Sequence, residues 1–177
     1  MTMQHDNTLI KYTMTYGLYL GLAFSLSIFV MHLFGSVHSP GDEIGVFNAL
    51  LLSFGMLIFG RKYRDTYFPN EFVYRQAFGF TVLLSLFAAF IYAVFSYWYF
   101  AILEPKGIEY FIDQMRLAYS AKDNLTAEQV EALVVLYKNA LTPAVMSFIV
   151  FMYHTFVGVM FGLLMSVFIK TPVRFEK

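Results

Sequence analysis

The chain is 177 residues long, 59% hydrophobic and 20% aromatic, with only 14% charged residues and no net charge. Soluble domains carry about 25% charged residues, so a chain this poor in charge is expected in a bilayer, where ionised groups are costly. Zero net charge leaves no nucleic-acid footprint, and the absence of cysteine excludes disulfides, iron–sulfur clusters and thiol catalysis.

Residues 1–13 hold one basic residue, Lys11, and no small-x-small cleavage site follows the apolar run. The first apolar segment therefore reads as a retained span rather than a signal peptide. It covers about 14–35, and three more follow at 44–60, 77–103 and 142–169. A span needs about 20 apolar residues. The second segment is at the lower limit, and the third and fourth are long enough to tilt or project. The expected fold is all-α: one integral membrane domain over 1–177, with four transmembrane helices.

Orientation follows from lysine and arginine placement. The N-terminus, the loop 61–76 and the C-terminal tail share one side and carry eight: Lys11, Arg61, Lys62, Arg64, Arg75, Lys170, Arg174 and Lys177. The other side carries four: Lys106, Arg116, Lys122 and Lys138. The positive-inside rule puts both termini in the cytoplasm. Tyr63, Tyr67, Phe68 and Tyr74 flank the inner ends and Tyr97, Trp98 and Tyr99 an outer end, where rings favour the headgroup zone. Asn70 after Pro69 is the expected N-cap of the third helix.

The outer segment 104–141 has helical periodicity in two stretches. Ile108, Phe111, Ile112, Met115 and Tyr119 mark the first, and Val130, Leu133, Val134, Tyr137 and Leu141 the second. Residues 122–125 read as the turn between them, and Thr126 with Gln129 as a capping box. The expectation is an extracytoplasmic αα-hairpin. Thr142-Pro143 reads as an N-cap and first-turn proline opening the fourth span. Asn124-Leu125-Thr126 matches a glycosylation sequon, read as chance.

The four-span layout, the basic loop ending in Tyr-Arg-Gln-Ala-Phe before the third span, the Ile-Leu-Glu-Pro exit from it and the helical outer insertion together resemble an uncharacterised bacterial membrane family. That family is catalogued as domain of unknown function 4199 and is typical of Bacteroidota. The resemblance covers about residues 16–169 and implies a multi-pass protein of the bacterial inner (cytoplasmic) membrane. It implies no activity, cofactor or functional residue.

The first and fourth spans each carry Gly-xxx-Gly-xxx-Ser, as Gly17, Gly21 and Ser25 and as Gly158, Gly162 and Ser166. Small residues at this spacing let helices approach closely. Antiparallel pairing would set Gly17 against Ser166, Gly21 against Gly162 and Ser25 against Gly158, one interface seen from both sides. Ala77, Thr81, Ser85, Ala89 and Ala93 form a third ridge of small residues, which a neighbouring helix can approach closely.

Polar residues inside a span are functional candidates by default, and here they are His32, Asn48 and His154, with Tyr92 and Tyr153 weaker. If the first and fourth spans pair through their glycines, His154 lies level with position 29, about 4–5 Å in height from His32. Three roles compete for the two histidines: interhelical hydrogen bonding, proton handling, and axial ligation of a haem or metal. Packing is preferred, so the expectation is no catalytic residue, no cofactor and no metal. His38, Asp42 and Glu43 in the first outer loop read as solvated polar residues. No catalytic or phosphate-binding motif is present. No acidic or basic residue lies deep in a span, which counts against an ion-driven transporter. The expected role is a non-enzymatic assembly or accessory factor, in contact with lipid and with a protein partner or further copies of itself. The alternatives are a small homo-oligomeric transporter or channel, and a bis-histidine haem protein.

Overall fold

The structure, a computed structural model, describes residues 2–33, 42–68, 70–121 and 125–171. The turn at 122–124 with the sequon asparagine, the loop with His38, the side chains of Asp42 and Glu43, Pro69 and the tail from 172 lie outside what is described. Among the described residues there are six α-helices: α1 Thr2–Leu33, α2 Asp42–Tyr67, α3 Tyr74–Trp98, α4 Lys106–Ser120, α5 Ala127–Ala140 and α6 Pro143–Ile169. A π-helical turn, Tyr99–Leu103, follows α3. The fold is all-α, and four stretches are long and apolar enough to cross a membrane: Asn7–Leu33, Gly45–Tyr67, Tyr74–Leu103 and Pro143–Ile169.

Two compact units are distinguished, residues 1–92 with 151–177, and residues 93–150. In the first, the helices neighbour one another in the cyclic order α1, α2, α6, α3. Each seam is set by a residue with little or no side chain. Gly55 of α2 lies against Leu20 of α1, and Gly60 of α2 against Ile169 of α6. Gly158 and Gly162 of α6 lie against Ser85 and Thr81 of α3, and Gly17 and Gly21 of α1 against Phe87 and Ile91 of α3. Without a Cβ, backbones approach closely enough to gain dispersion that lipid tails cannot match.

Helix ends explain several sequence features. Thr142 Oγ1 accepts from Val145 N at 3.3 Å, and Pro143 opens α6, as expected. The expected Asn70 cap is not used: α3 begins at Tyr74, and Val73 N donates to the Gln76 side chain at 3.0 Å. Phe72 and Thr171 exchange two hydrogen bonds, 2.8 and 2.9 Å, tying the α2–α3 connection to the end of α6. The helix α2 runs seven residues past the expected limit at Gly60, through Arg61, Lys62 and Arg64. Those basic residues have partners that reward continuation. Arg64 Nη1 donates to the carbonyls of Ile169 (2.8 Å) and Lys170 (3.4 Å), and Arg61 Nε to Phe168 O at 3.4 Å. Cations at a helix C-terminus satisfy orphan carbonyls and complement the dipole.

The second unit contains the expected hairpin. Thr126 and Gln129 form the full capping box at the start of α5. Ile112 of α4 and Val130 and Val134 of α5 are buried. Arg116 pairs with Glu131 at 3.2 Å. Helical side chains lean towards the N-terminus, so in an antiparallel pair Tyr119 and Tyr137 converge; their hydroxyls meet at 3.2 Å with rings nearly parallel. In α6, Ser147 Oγ donates to Ala93 O of α3 at 2.6 Å. The end of α3 widens into the π-helical turn where Glu104 N bonds Tyr99 O, immediately before Pro105, which has no N–H to continue the ladder. Tyr99 is buried rather than at the surface, while Tyr97 and Trp98 are exposed.

Candidate functional site

The two glycine stripes do not face one another. A Cβ on Gly21 would stand 2.6 Å from Ile91 Cβ and 2.7 Å from Ala88 O, both in α3. One on Gly162 would meet Thr81 Oγ1 at 2.7 Å, and one on Gly158 would meet Ser85. Both stripes therefore close onto α3, from different sides. Gly21 and Gly162 are also at different depths: their contacts on α3, Ala88–Ile91 and Thr81, are seven to ten residues apart, about 10–15 Å along the helix. The expected pairs Gly17–Ser166, Gly21–Gly162 and Ser25–Gly158 are thereby corrected. The reason is the cyclic order, which sets α1 and α6 across the bundle from each other with α2 and α3 between.

The surface of α3 that receives the α6 stripe is the ridge of small residues. Ala77, Thr81, Ser85 and Ala89 are all almost fully buried. Its hydroxyls are satisfied locally: Thr81 donates to Phe78 O at 2.9 Å and Ser85 to Val82 O at 2.9 Å. Ser25 donates to Gly21 O at 2.8 Å, and Ser166 to Gly162 O. Thr81 and Ser166 hydroxyls lie 3.4 Å apart across this seam. Hydroxyls turned back onto their own helix cost little to bury and carry no free reactivity.

The histidines are separated. His154 packs edge-on against Tyr92, with ring centres 4.7 Å apart, beside Phe24 at 6.0 Å and Tyr153 at 5.2 Å. Phe24 and Tyr92 meet at 5.9 Å, so three helices contribute to one aromatic centre. Edge-to-face rings match the positive edge of one to the negative face of another. It is Phe24, not position 29, that lies against His154. His32 is eight residues further along α1, about 12 Å, near its end. Axial ligation of one iron by His32 and His154 therefore has no geometric support. Among the described residues, no group of three or more His, Asp or Glu side chains converges on a metal-sized space.

Asn48 is 1% exposed, and its Oδ1 lies 2.9 Å from the Ser27 hydroxyl of α1. Ser27 also donates to Phe24 O at 2.7 Å. A hydroxyl has one proton, so rotating the carboxamide to donate to Ser27 satisfies both contacts. Either orientation leaves one carboxamide group unused; as placed, that is the Nδ2. Ser27 was missed by sequence reasoning. Its only signal is a hydroxyl one helical turn from the Phe24 position, which no motif marks.

The end of the bundle containing Lys11 and Arg64 is the second polar region. Tyr12, Tyr16, Tyr63 and Tyr67 stack with Phe80 and Phe72, with ring centres 4.4–6.1 Å apart. Tyr63 is 2% exposed. It is core, not part of a headgroup belt as expected, whereas Tyr67 and Tyr74 remain exposed. Lys62 Nζ lies 3.2 Å from the Tyr16 hydroxyl and 5.6 Å from its ring centre. The cluster arises because tyrosines four apart, at 12 and 16 and at 63 and 67, share a helix face.

These features hold helices together. No curated protein and no solved structure matches the chain. The model of the family described as "Protein of unknown function (DUF4199)" matches residues 15–171, nearly the whole chain. With four apolar helices of spanning length and this family match, the chain belongs to the DUF4199 family.

Proposed function

We propose that this protein is a non-enzymatic accessory or assembly factor of the bacterial inner membrane, with both termini in the cytoplasm, acting on a protein partner through its α4–α5 hairpin. The observation that carries this reading is the hairpin's outer surface. Leu117, Val135 and Leu136 are 63%, 56% and 60% exposed, on a unit already stiffened by a capping box, an ion pair and a tyrosine pair. Apolar side chains gathered into one exposed patch on an ordered scaffold mark a protein interface, whereas singly scattered ones do not; Val135 and Leu136 are neighbours on α5. The eight-to-four lysine and arginine asymmetry supports the orientation, and reporter fusions at each terminus test it.

The experiment is site-specific photocrosslinking from position 136 in the native membrane. A discrete adduct of defined stoichiometry is expected, lost in Leu136→Glu while the circular dichroism spectrum is unchanged. A diffuse smear of adducts, or one insensitive to Leu136→Glu, overturns the reading.

A second reading, a homo-oligomeric channel or transporter, is favoured by α6. Only 11% of its most apolar window is buried within the chain, against 33–44% for the other spans. A stable oligomer in nanodiscs, with solute flux altered by His154→Ala, would support it. A monomer without flux overturns it.

A further inference from the structure

The tyrosine end of the bundle carries a groove that packing does not explain. It has a volume of about 800 Å³ and is lined by Ile10, Lys11, Tyr12, Thr15, Tyr16 and Tyr67, among others. It lies where two candidate spans terminate, Asn7–Leu33 at its start and Gly45–Tyr67 at its end, so its depth is that of lipid headgroups. We propose that this groove binds one anionic phospholipid, its phosphate on Lys11, Lys62 and the Tyr16 hydroxyl and an acyl chain against α1.

Charge is the first argument. Among the described lining residues there is no carboxylate, while Lys11 is exposed and belongs to the wall. Lys62 is exposed and reaches the Tyr16 hydroxyl at 3.2 Å. Tyr16 accepts that bond, which leaves its own proton to donate to a phosphate oxygen. Lys11 in the wall and Lys62 at the Tyr16 hydroxyl make this end of the groove cationic at the membrane surface, where each Lys or Arg contributes attraction to anionic lipid.

Continuity is the second argument. Ile10, Met14, Leu18 and Leu22 are 40–52% exposed and follow at four-residue spacing, one oblique ridge of α1. The ridge starts in the groove, at Ile10, and runs along the candidate span. A soluble anion would use only the charged half. A phospholipid uses both, with Tyr12 and Tyr67 at the boundary where amphipathic rings are most stable. The proposal needs only that the chain spans a bilayer, and holds for either orientation.

Native mass spectrometry of the full chain, released from detergent with equal amounts of phosphatidylglycerol and phosphatidylcholine, tests it. The expected result is a several-fold higher occupancy of a single phosphatidylglycerol adduct. Lys11→Gln should reduce that preference, and Lys11→Gln with Lys62→Gln should abolish it. Lys138→Gln, on α5, should leave it unchanged. Lys11 is exposed, so the single variant folds and reports on the site even if the double variant does not. Equal retention of the two lipids, or a preference surviving Lys11→Gln undiminished, overturns the proposal. So does displacement of the adduct by millimolar inorganic phosphate, since lipid held partly through its acyl chain should resist a soluble anion.

Discussion

Replacing Gly21 with alanine adds one carbon at a close approach of α1 to α3. That carbon would stand 2.6 Å from Ile91 Cβ and 2.7 Å from Ala88 O. Carbon contacts are comfortable at about 3.5–4.0 Å, so roughly 1 Å of separation is needed. Neither obstacle can rotate away, because one is a Cβ and the other a backbone carbonyl. The helices must part, and a gap of 0.5–1 Å forfeits about a quarter to a half of each flanking dispersion well. Overpacking of this kind costs about 1–3 kcal/mol, or roughly a 5- to 150-fold shift towards unfolding by the conversion of about 1.4 kcal/mol per decade. Gly79 is the internal control. It lies in the same span set, on α3, and a Cβ there would meet nothing within 4 Å. Gly79→Ala should instead stabilise by up to about 1 kcal/mol, through helix propensity alone. Reversible unfolding in mixed detergent, followed by circular dichroism, measures both. Equal effects of the two substitutions, or a neutral Gly21→Ala, would refute the close approach of α1 to α3.

Three further outcomes follow from named contacts. Asn48→Leu keeps the branched shape and heavy-atom count, loses one bond of about 0.6 kcal/mol and removes a buried carboxamide with one group unused. Stability measured by the same unfolding should be unchanged or raised by about 1 kcal/mol, and a loss beyond about 2 kcal/mol would contradict the network described. Arg64→Gln removes the charge-assisted bonds to Ile169 and Lys170 carbonyls. It should cost about 1–2 kcal/mol, with faster amide exchange in the last turn of α6 and not in α5. In the hairpin, the hydrogen bond with Tyr119 raises the pKa of Tyr137 above the ordinary tyrosine value. A raised pKa stabilises fully below the unfolded value of about 10 and is lost as pH climbs through the folded one. Near-ultraviolet circular dichroism should therefore show the hairpin loosening above about pH 10, with that step absent in Tyr137→Phe.

Individual helices were legible because each rests on local information. Composition marks the four spans, and Thr126 with Gln129 marks the start of α5 to the residue. Partnership between spans was not legible. A Gly-xxx-Gly-xxx-Ser stripe says that a backbone can come close, and says nothing about whose. Two similar stripes suggested each other, yet both found α3, whose small residues at 77, 81, 85 and 89 offer a flat landing and whose opposite flank carries Ala88 beside Ile91. The histidine pairing failed for the same reason, since it inherited its register from the glycines. The extension of α2 through Arg61–Tyr67 was hidden because its benefit is long-range: guanidinium groups on carbonyls more than a hundred residues away. Tyr63 looked like a belt residue because sequence cannot tell a ring at the membrane surface from one buried among Tyr12, Phe72 and Phe80.

Cysteine crosslinking distinguishes a bundle in which α3 receives both glycine stripes from one in which the stripes meet each other. The chain has no native cysteine, so introduced pairs report without background. Thr81 and Ser166 hydroxyls lie 3.4 Å apart, so sulfur atoms in their places would have to approach by only about 1.4 Å to bond. Thr81→Cys with Ser166→Cys should crosslink rapidly under mild oxidation in the membrane, and Gly21→Cys with Gly162→Cys should not. Rapid crosslinking of the second pair with none of the first would contradict the account and restore a direct α1–α6 interface.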